Sequence, residues 1–230
     1  MIYVTGDTHG RVTRFAPGSE NFMHDMTWRE NDTLIVCGDF GFVFFCDLEE
    51  KLYLDYLEKK PYTICFCDGN HENHKKLAEY PVEEWKGGKI HRIRKNIIHL
   101  MRGQIYEIEG KRIFSMGGAY SIDRALRQPG YSYWEEELPS QAEYNEAVSN
   151  LKRHSFKVDY IVSHTAPKEI ILHMGFDPDP HDCELTGFLE YVMYETKDSM
   201  KKWFFGHWHE DRELYEGRFR ALLNDVVKII

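Results

Sequence analysis

What the chain lacks narrows its class first. No apolar run in its 230 residues approaches the roughly 20 needed to cross a bilayer as a helix, so no membrane partner is expected. Positive charge is not in excess: 29 Lys and Arg stand against 38 Asp and Glu, with a formal net charge of −9 and a pI near 5.7. A broad basic surface is therefore missing, which speaks against extended nucleic acid as a partner and against a nuclease. Any phosphate-bearing substrate has to be held by local charge. Paired cysteines are also lacking. The 5 present are odd in number, and none has the spacing of a zinc knuckle or a thioredoxin-type site. Cys37, Cys65 and Cys67 lie in apolar, strand-like runs, where a free thiol packs as a small hydrophobe. With no signal peptide ahead of Asp7, this cysteine usage sets the expected location in the reducing cytoplasm. Repeats, low-complexity tracts and linkers are absent too, and residues 1–230 read as one α/β domain.

What is abundant is histidine: the 12 residues gather beside Gly, Asp and Asn instead of forming a tag. The first of these places is the end of an apolar run, Ile2-Tyr3-Val4-Thr5-Gly6-Asp7-Thr8-His9-Gly10. Later stretches repeat the form, with a strand-like segment ending in Gly38-Asp39, Gly69-Asn70-His71-Glu72, Ser163-His164 or Gly206-His207-Trp208-His209.

The intervening chain predicts the scaffold for these ends. Strands are expected over 1–6, Thr33–Cys37, 62–67, 158–162 and Lys202–Phe205, after a mixed, polar connection over 11–32. Asp47 caps a helix in which Leu48, Leu52, Tyr53, Tyr56 and Leu57 recur at helical spacing, and residues 72–80 form another. Ile97–Leu100, Gln104–Ile108 and 112–116 read as a second sheet, the last two joined as a hairpin at Glu109-Gly110. Ser140 with Glu143 is a capping box ahead of a helix buried through Tyr144, Ala147, Val148 and Leu151. Residues 166–201 predict a loop and one helix, and terminal hairpin strands end the chain through 226–230.

In an α/β sheet, side chains just past the carboxyl ends of parallel strands share one edge, so residues distant in sequence converge there. Asp7 and His9, two apart, point the same way in extended backbone and reach one cation; His207 and His209 repeat that spacing. Asp39 offers two oxygens able to bridge two ions, and the His and Asn residues supply ligands suited to manganese, iron or zinc.

The order D-x-H, G-D, G-N-H-E, H, G-H-x-H, running from residue 6 to residue 209, resembles the calcineurin-like metallophosphoesterase family. The resemblance implies a four-layer α/β/β/α sandwich of two mixed β-sheets flanked by helices. It also implies two divalent metal ions, manganese foremost, with iron, zinc or nickel as alternatives. One ion would be held by Asp7, His9, Asp39 and His209, and the other by Asp39, Asn70, His164 and His207. A metal-bridging hydroxide would attack phosphorus in line, with His71 as general acid rather than ligand. The expected partner is a phosphate-ester substrate, a small molecule or nucleotide, cleaved as a phosphodiester or phosphomonoester.

Protein phosphatases of this family carry Asp-Arg-Gly shortly after the second motif, where this chain has Phe40-Gly41-Phe42-Val43-Phe44-Phe45. The phosphate-binding arginine is missing from that place, which argues against a protein phosphatase and leaves His71 without its usual partner. The second His of Gly206-His207-Trp208-His209 is similar to the phosphodiesterase-type branches. The rival class, a non-catalytic interaction scaffold on the same fold, loses ligands or the general acid, whereas all are present here. Candidate substrate contacts are Arg11, His74 and Arg124, with a surface arginine, a solvated helix position and a tight turn as their plain alternatives. His173 and His181 read as surface loop residues, and the phenylalanines after Asp39 as packing.

Overall fold

The computed structural model describes residues 1–16 and 28–229, so the middle of the expected polar connection, 17–27, and Ile230 lie outside the described residues. One sheet contains β1 (Ile2–Thr5), β2 (Thr33–Cys37), β3 (Thr63–Cys67), β4 (Val82–Trp85), β5 (Gly88–Arg94) and β6 (Ile97–Leu100). The other contains β7 (Gln104–Ile108), β8 (Lys111–Met116), β9 (Tyr160–Ser163), β10 (Lys202–Phe205), β11 (Arg212–Leu214) and β12 (Phe219–Ala221). The last strand, β13 (Val227–Lys228), returns to the first sheet and pairs antiparallel with β1. The strand orders are β13-β1-β2-β3-β6-β5-β4 and β11-β12-β10-β9-β8-β7. Each sheet has a parallel centre, β1-β2-β3-β6 in one and β8-β9-β10-β12 in the other, with antiparallel strands at its edges.

The period-2 alternation of the strands sorts their side chains into layers. Ile2, Val4, Ile35 and Cys65 meet Ile113, Val162 and Phe204 between the two sheets. On the outer face of the first sheet, Tyr3, Leu34, Val36 and Phe66 pack on Leu54 and Leu57 of α1 (Leu48–Leu57) and Leu77 of α2 (His74–Glu79). On the outer face of the second, Phe114, Ile161, Trp203 and Phe205 are covered by α3 (Gln141–Arg153), α4 (Lys168–Met174) and α5 (Cys183–Thr196). The result is the α/β/β/α sandwich of two mixed sheets. No helix among the described residues is long and apolar enough to cross a membrane.

Several local expectations hold in detail. Ser140 and Glu143 form the reciprocal capping box of α3, and Glu109 and Gly110 turn the β7–β8 hairpin with φ of 50° and 70°. Others are corrected. Ile97–Leu100 pairs with β3 in the first sheet, not with β7 in the second. The β4–β5 hairpin was not expected, because its charged edge strand lacks an apolar alternation. Residues 166–201 hold two helices; α4 is too short to show a helical period, and Gly175 ends it in the left-handed conformation at φ 90°. In α1, Leu48 and Leu52 face outwards, while Glu50 turns in and accepts the backbone N–H groups of Phe44, Phe45 and Cys46 at 2.8–3.0 Å.

Candidate metal centre

Because β1, β2 and β3 run parallel, their carboxyl ends deliver Asp7, Asp39 and Asn70 to one edge, and parallel β9 and β10 deliver His164 and His207. Hydrogen bonds tie the strand ends together within each edge and across the sandwich. His9 N–H donates to Asp39 O at 2.8 Å, Gly206 N–H to His164 O at 2.9 Å, and His164 Nδ1 bonds Cys37 O at 2.9 Å. The backbone N–H of His207 points at both carboxylate oxygens of Asp7, at 3.0 and 3.1 Å. The glycines serve this crowding. A Cβ on Gly38 would fall 2.1 Å from His164 Nδ1, and one on Gly69 would fall 2.2 Å from Asp39 Oδ1.

His9, Asp39, His207 and His209 all have positive φ, at 46°, 48°, 67° and 52°. Non-glycine residues held there cost about 1–3 kcal/mol each, so the surrounding hydrogen bonds and packing have to impose the conformation. Four of the seven expected ligands are therefore strained residues, as at a functional site.

Two clusters result. In the first, one ligand atom each from Asp7, His9, Asp39 and His209 lies within 4.8 Å of the others, and the Nε2 atoms of His9 and His209 face each other at 3.1 Å. In the second, Asn70 Oδ1 lies 3.0 Å from His164 Nε2 and 3.2 Å from His207 Nδ1, and Asp39 Oδ1 lies 3.3 Å from His164 Nε2. Asp39 belongs to both. Asn70 Nδ2 donates to Ser121 Oγ at 3.1 Å, which turns its oxygen towards the imidazoles.

The electrostatics suit cations. Burial pushes Asp7 up to about 7, and the neighbouring charge of Asp39 adds to this. Burial also pushes Asp39 up, but His164, His71 and His9 outweigh it and hold that carboxyl below the usual range. Burial holds His9 down at about 4 and His207 at about 3, so both imidazoles are neutral near pH 7, as metal ligands must be. His164 differs, because burial pushes it down but Asp39 and Asp7 outweigh that and raise it above its ordinary value. When neutral, with Nδ1–H given to Cys37 O, it presents its Nε2 lone pair to the oxygens of Asp39 and Asn70. Acceptors turned on one another are satisfied by a proton or a cation between them. The oxygen and imidazole donors fit divalent ions, and the carbonyl partner of His164 supplies the outer hydrogen bond that fixes such a ligand.

His71 stands beside these clusters. Its backbone N–H donates to Asp39 Oδ1 at 2.8 Å, and its Nε2 accepts from Arg127 Nη2 at 2.9 Å. Glu72, wholly buried, binds the N–H groups of Gly41 and Gly69 and ties together the loops after β2 and β3. His74 turns away from the site. It is buried beside Arg102 and Asp68, 3.4 Å from Arg102 Nη2 and 3.8 Å from Asp68 Oδ2, so it is neither a solvated residue nor a contact in the metal-lined clefts. Arg124 is spent on Glu137 and Trp134 O, with its guanidinium over the rings of Tyr120 and Tyr133. Arg11 is exposed and lines neither cleft beside the clusters. The expected phenylalanine packing divides: Phe40 and Phe42 are buried, whereas Phe44 and the exposed Phe45 form a cleft wall. Arg127 escaped the sequence reading. The one signal was its spacing from Asp123, which it meets as an i,i+4 ion pair at 2.7 Å.

Strand-end carboxylates and imidazoles converging in this way form the donor set of a divalent-metal site. The family model for calcineurin-like phosphoesterases matches residues 1–211, and the chain belongs to that family. Its members use divalent metals. Among solved structures, a candidate 5′-nucleotidase from Staphylococcus aureus, in complex with alpha-ketoglutarate, aligns at 14% identity with a TM-score of 0.49. That alignment covers 96% of this chain and 47% of the other, so the chain spans about half of that protein's length. Phosphopantetheinyl hydrolase from Mycobacterium tuberculosis aligns at 16% identity with a TM-score of 0.47, over 96% of this chain and 87% of that one. A search of curated proteins by sequence finds no match.

Proposed function

We propose that residues 1–230 act as one domain that hydrolyses a phosphodiester or phosphomonoester of a small or nucleotide-like substrate in the cytoplasm. Asp7, His9, Asp39 and His209 hold one divalent ion, and Asp39, Asn70, His164 and His207 hold a second, with manganese as the first candidate. The observation that carries this reading is the Asp39 carboxylate shared between two clusters whose remaining donors face one another at 3.0–3.2 Å. When bound, such ions polarise a phosphoryl oxygen and activate water at neutral pH.

The protein's own groups do the rest. Asp39 aligns both clusters and also fixes the backbone of His71. His71 sits at the meeting point of two clefts of about 560 and 550 Å³, where a leaving oxygen would stand, and gives it a proton. Its Nε2 faces Arg127, so the guanidinium takes another acceptor when His71 carries that proton.

Assay with bis-p-nitrophenyl phosphate and p-nitrophenyl phosphate under Mn²⁺ tests the proposal. His71→Ala is expected to lower kcat by about 10²–10⁴-fold with metal content retained, the range typical of a lost general acid. Asp39→Asn is expected to lose metal as judged by elemental analysis. No turnover of either ester with Mn, Fe, Zn or Ni would move the chain to the scaffold class.

A further inference from the structure

We propose that Arg127 is the anion-binding residue of the site, gripping the non-bridging oxygens of a phosphate group through its Nη2 edge. The inference rests on the phosphoester reading above and adds the residue that the second sequence motif fails to supply. Among the described residues lining the two clefts, Arg127 is the one with a permanent positive charge, and it lines both. It therefore stands on both clefts, beside His71.

Other arginines near the site are committed to protein. Arg14 is buried under the first motif, donating to Gly6 O, Thr5 Oγ1 and Asn224 O at 2.9–3.1 Å. Arg102 is bound by Asp68 and by the carbonyls of Glu136 and Glu137. Arg124 is bound by Glu137.

Arg127 is held differently. Nε meets Asp123 at 2.7 Å, and Nη1 reaches Ser132 O at 3.1 Å and Ser121 Oγ at 3.4 Å. Those contacts fix the guanidinium plane and leave Nη2, whose partner is a single imidazole nitrogen, His71 Nε2. An imidazole is a weak match for a planar fork of donors; a phosphoryl oxygen is charged and is the stronger acceptor. The side chain is 13% exposed, so its charge is only partly screened by water. Ser121 Oγ also accepts from Asn70 Nδ2, so the loop that carries Arg127 is tied to one of the proposed metal ligands. In a chain of net charge −9, this one guanidinium supplies the local positive charge that a phosphate requires besides metal.

The test is direct titration of the metal-loaded protein with inorganic phosphate by calorimetry, run beside ester turnover. Arg127→Ala is expected to weaken phosphate binding by about 10–100-fold, the range for losing one charged hydrogen-bond partner, with metal content and Tm retained. The same variant should raise KM for p-nitrophenyl phosphate more than it lowers kcat. Arg127→Lys, a point charge without the fork, is expected to recover part of the loss. Unchanged phosphate affinity in Arg127→Ala with metal retained overturns the proposal, as does a wild-type protein that binds no phosphate. If wild type binds phosphate through Arg127 but turns over no ester, the anion site stands and the hydrolase reading fails.

Discussion

Asn70 and His164 face each other with acceptor towards acceptor: Asn70 Oδ1 lies 3.0 Å from His164 Nε2 while His164 Nδ1 is committed to Cys37 O. Asp39 Oδ1 closes on the same nitrogen from the other side, at 3.3 Å. With no ion there, this pairing is relieved by a proton on the wholly buried imidazole, which burial opposes but the carboxylates of Asp39 and Asp7 favour strongly enough to raise His164 above its ordinary value. A divalent ion relieves it without that proton.

Metal is therefore expected to stabilise the fold and not only to activate it. At a free Mn²⁺ concentration of 100 Kd, binding to the native state alone adds about 2.7 kcal/mol, which for a chain of this size raises Tm by roughly 5–11 °C. Differential scanning fluorimetry in EDTA and in Mn²⁺ measures it. Equal melting temperatures would show that the clusters do not bind the ion.

Much of this arrangement was legible in sequence because it is local. A strand that stops at glycine and continues with Asp or His is visible in a few residues, and Ser140 with Glu143 announces α3 in four. What stayed hidden depends on partners distant in sequence. His74 looks solvated until the Asp68–Arg102 pair buries it, and Asp68 accepts from Arg102 across 34 positions. Arg127 reaches His71 across 56 positions, through a loop whose course is set by Glu137 and Ser121 and not by any periodicity of its own. Val227–Lys228 reads as a hairpin strand, and only pairing with the first strand of the chain places it in the other sheet.

Gly38 tests how tightly the frame is packed. Its φ is 80°, and a Cβ there would overlap the His164 side chain at 2.1–2.7 Å. The left-handed backbone alone costs a non-glycine residue about 1–3 kcal/mol, and displacing His164 adds to that. Gly38→Ala is expected to lower the urea midpoint in EDTA, where metal loss plays no part, and to abolish Mn²⁺ binding in calorimetry. A variant with native stability and metal affinity would mean that His164 moves freely, contrary to its burial and its bond to Cys37 O.

Away from the metal centre, the stacked rings of His91 and His99 set a pH dependence of folding. Their Nδ1 atoms lie 3.1 Å apart, and His99 Nε2 bonds Asp68 at 3.1 Å. Burial, then the neighbouring His99, lowers His91 from 6.5 to about 4, so the folded state resists a proton that the unfolded chain accepts. A base with a depressed folded-state pKa contributes stability that is present above 6.5 and is lost as pH falls towards 4. Burial pushes His9, His74 and His207 in the same direction, so the wild-type curve alone does not isolate His91. The comparison with His91→Gln does, because glutamine keeps a donor for His99 Nδ1 and cannot take up the proton. Urea midpoints of the two proteins, measured in EDTA from pH 7.5 to 4, are expected to diverge below about 6.5, with the wild type falling more steeply. Parallel curves would place the acid sensitivity in the other buried histidines and the carboxylates.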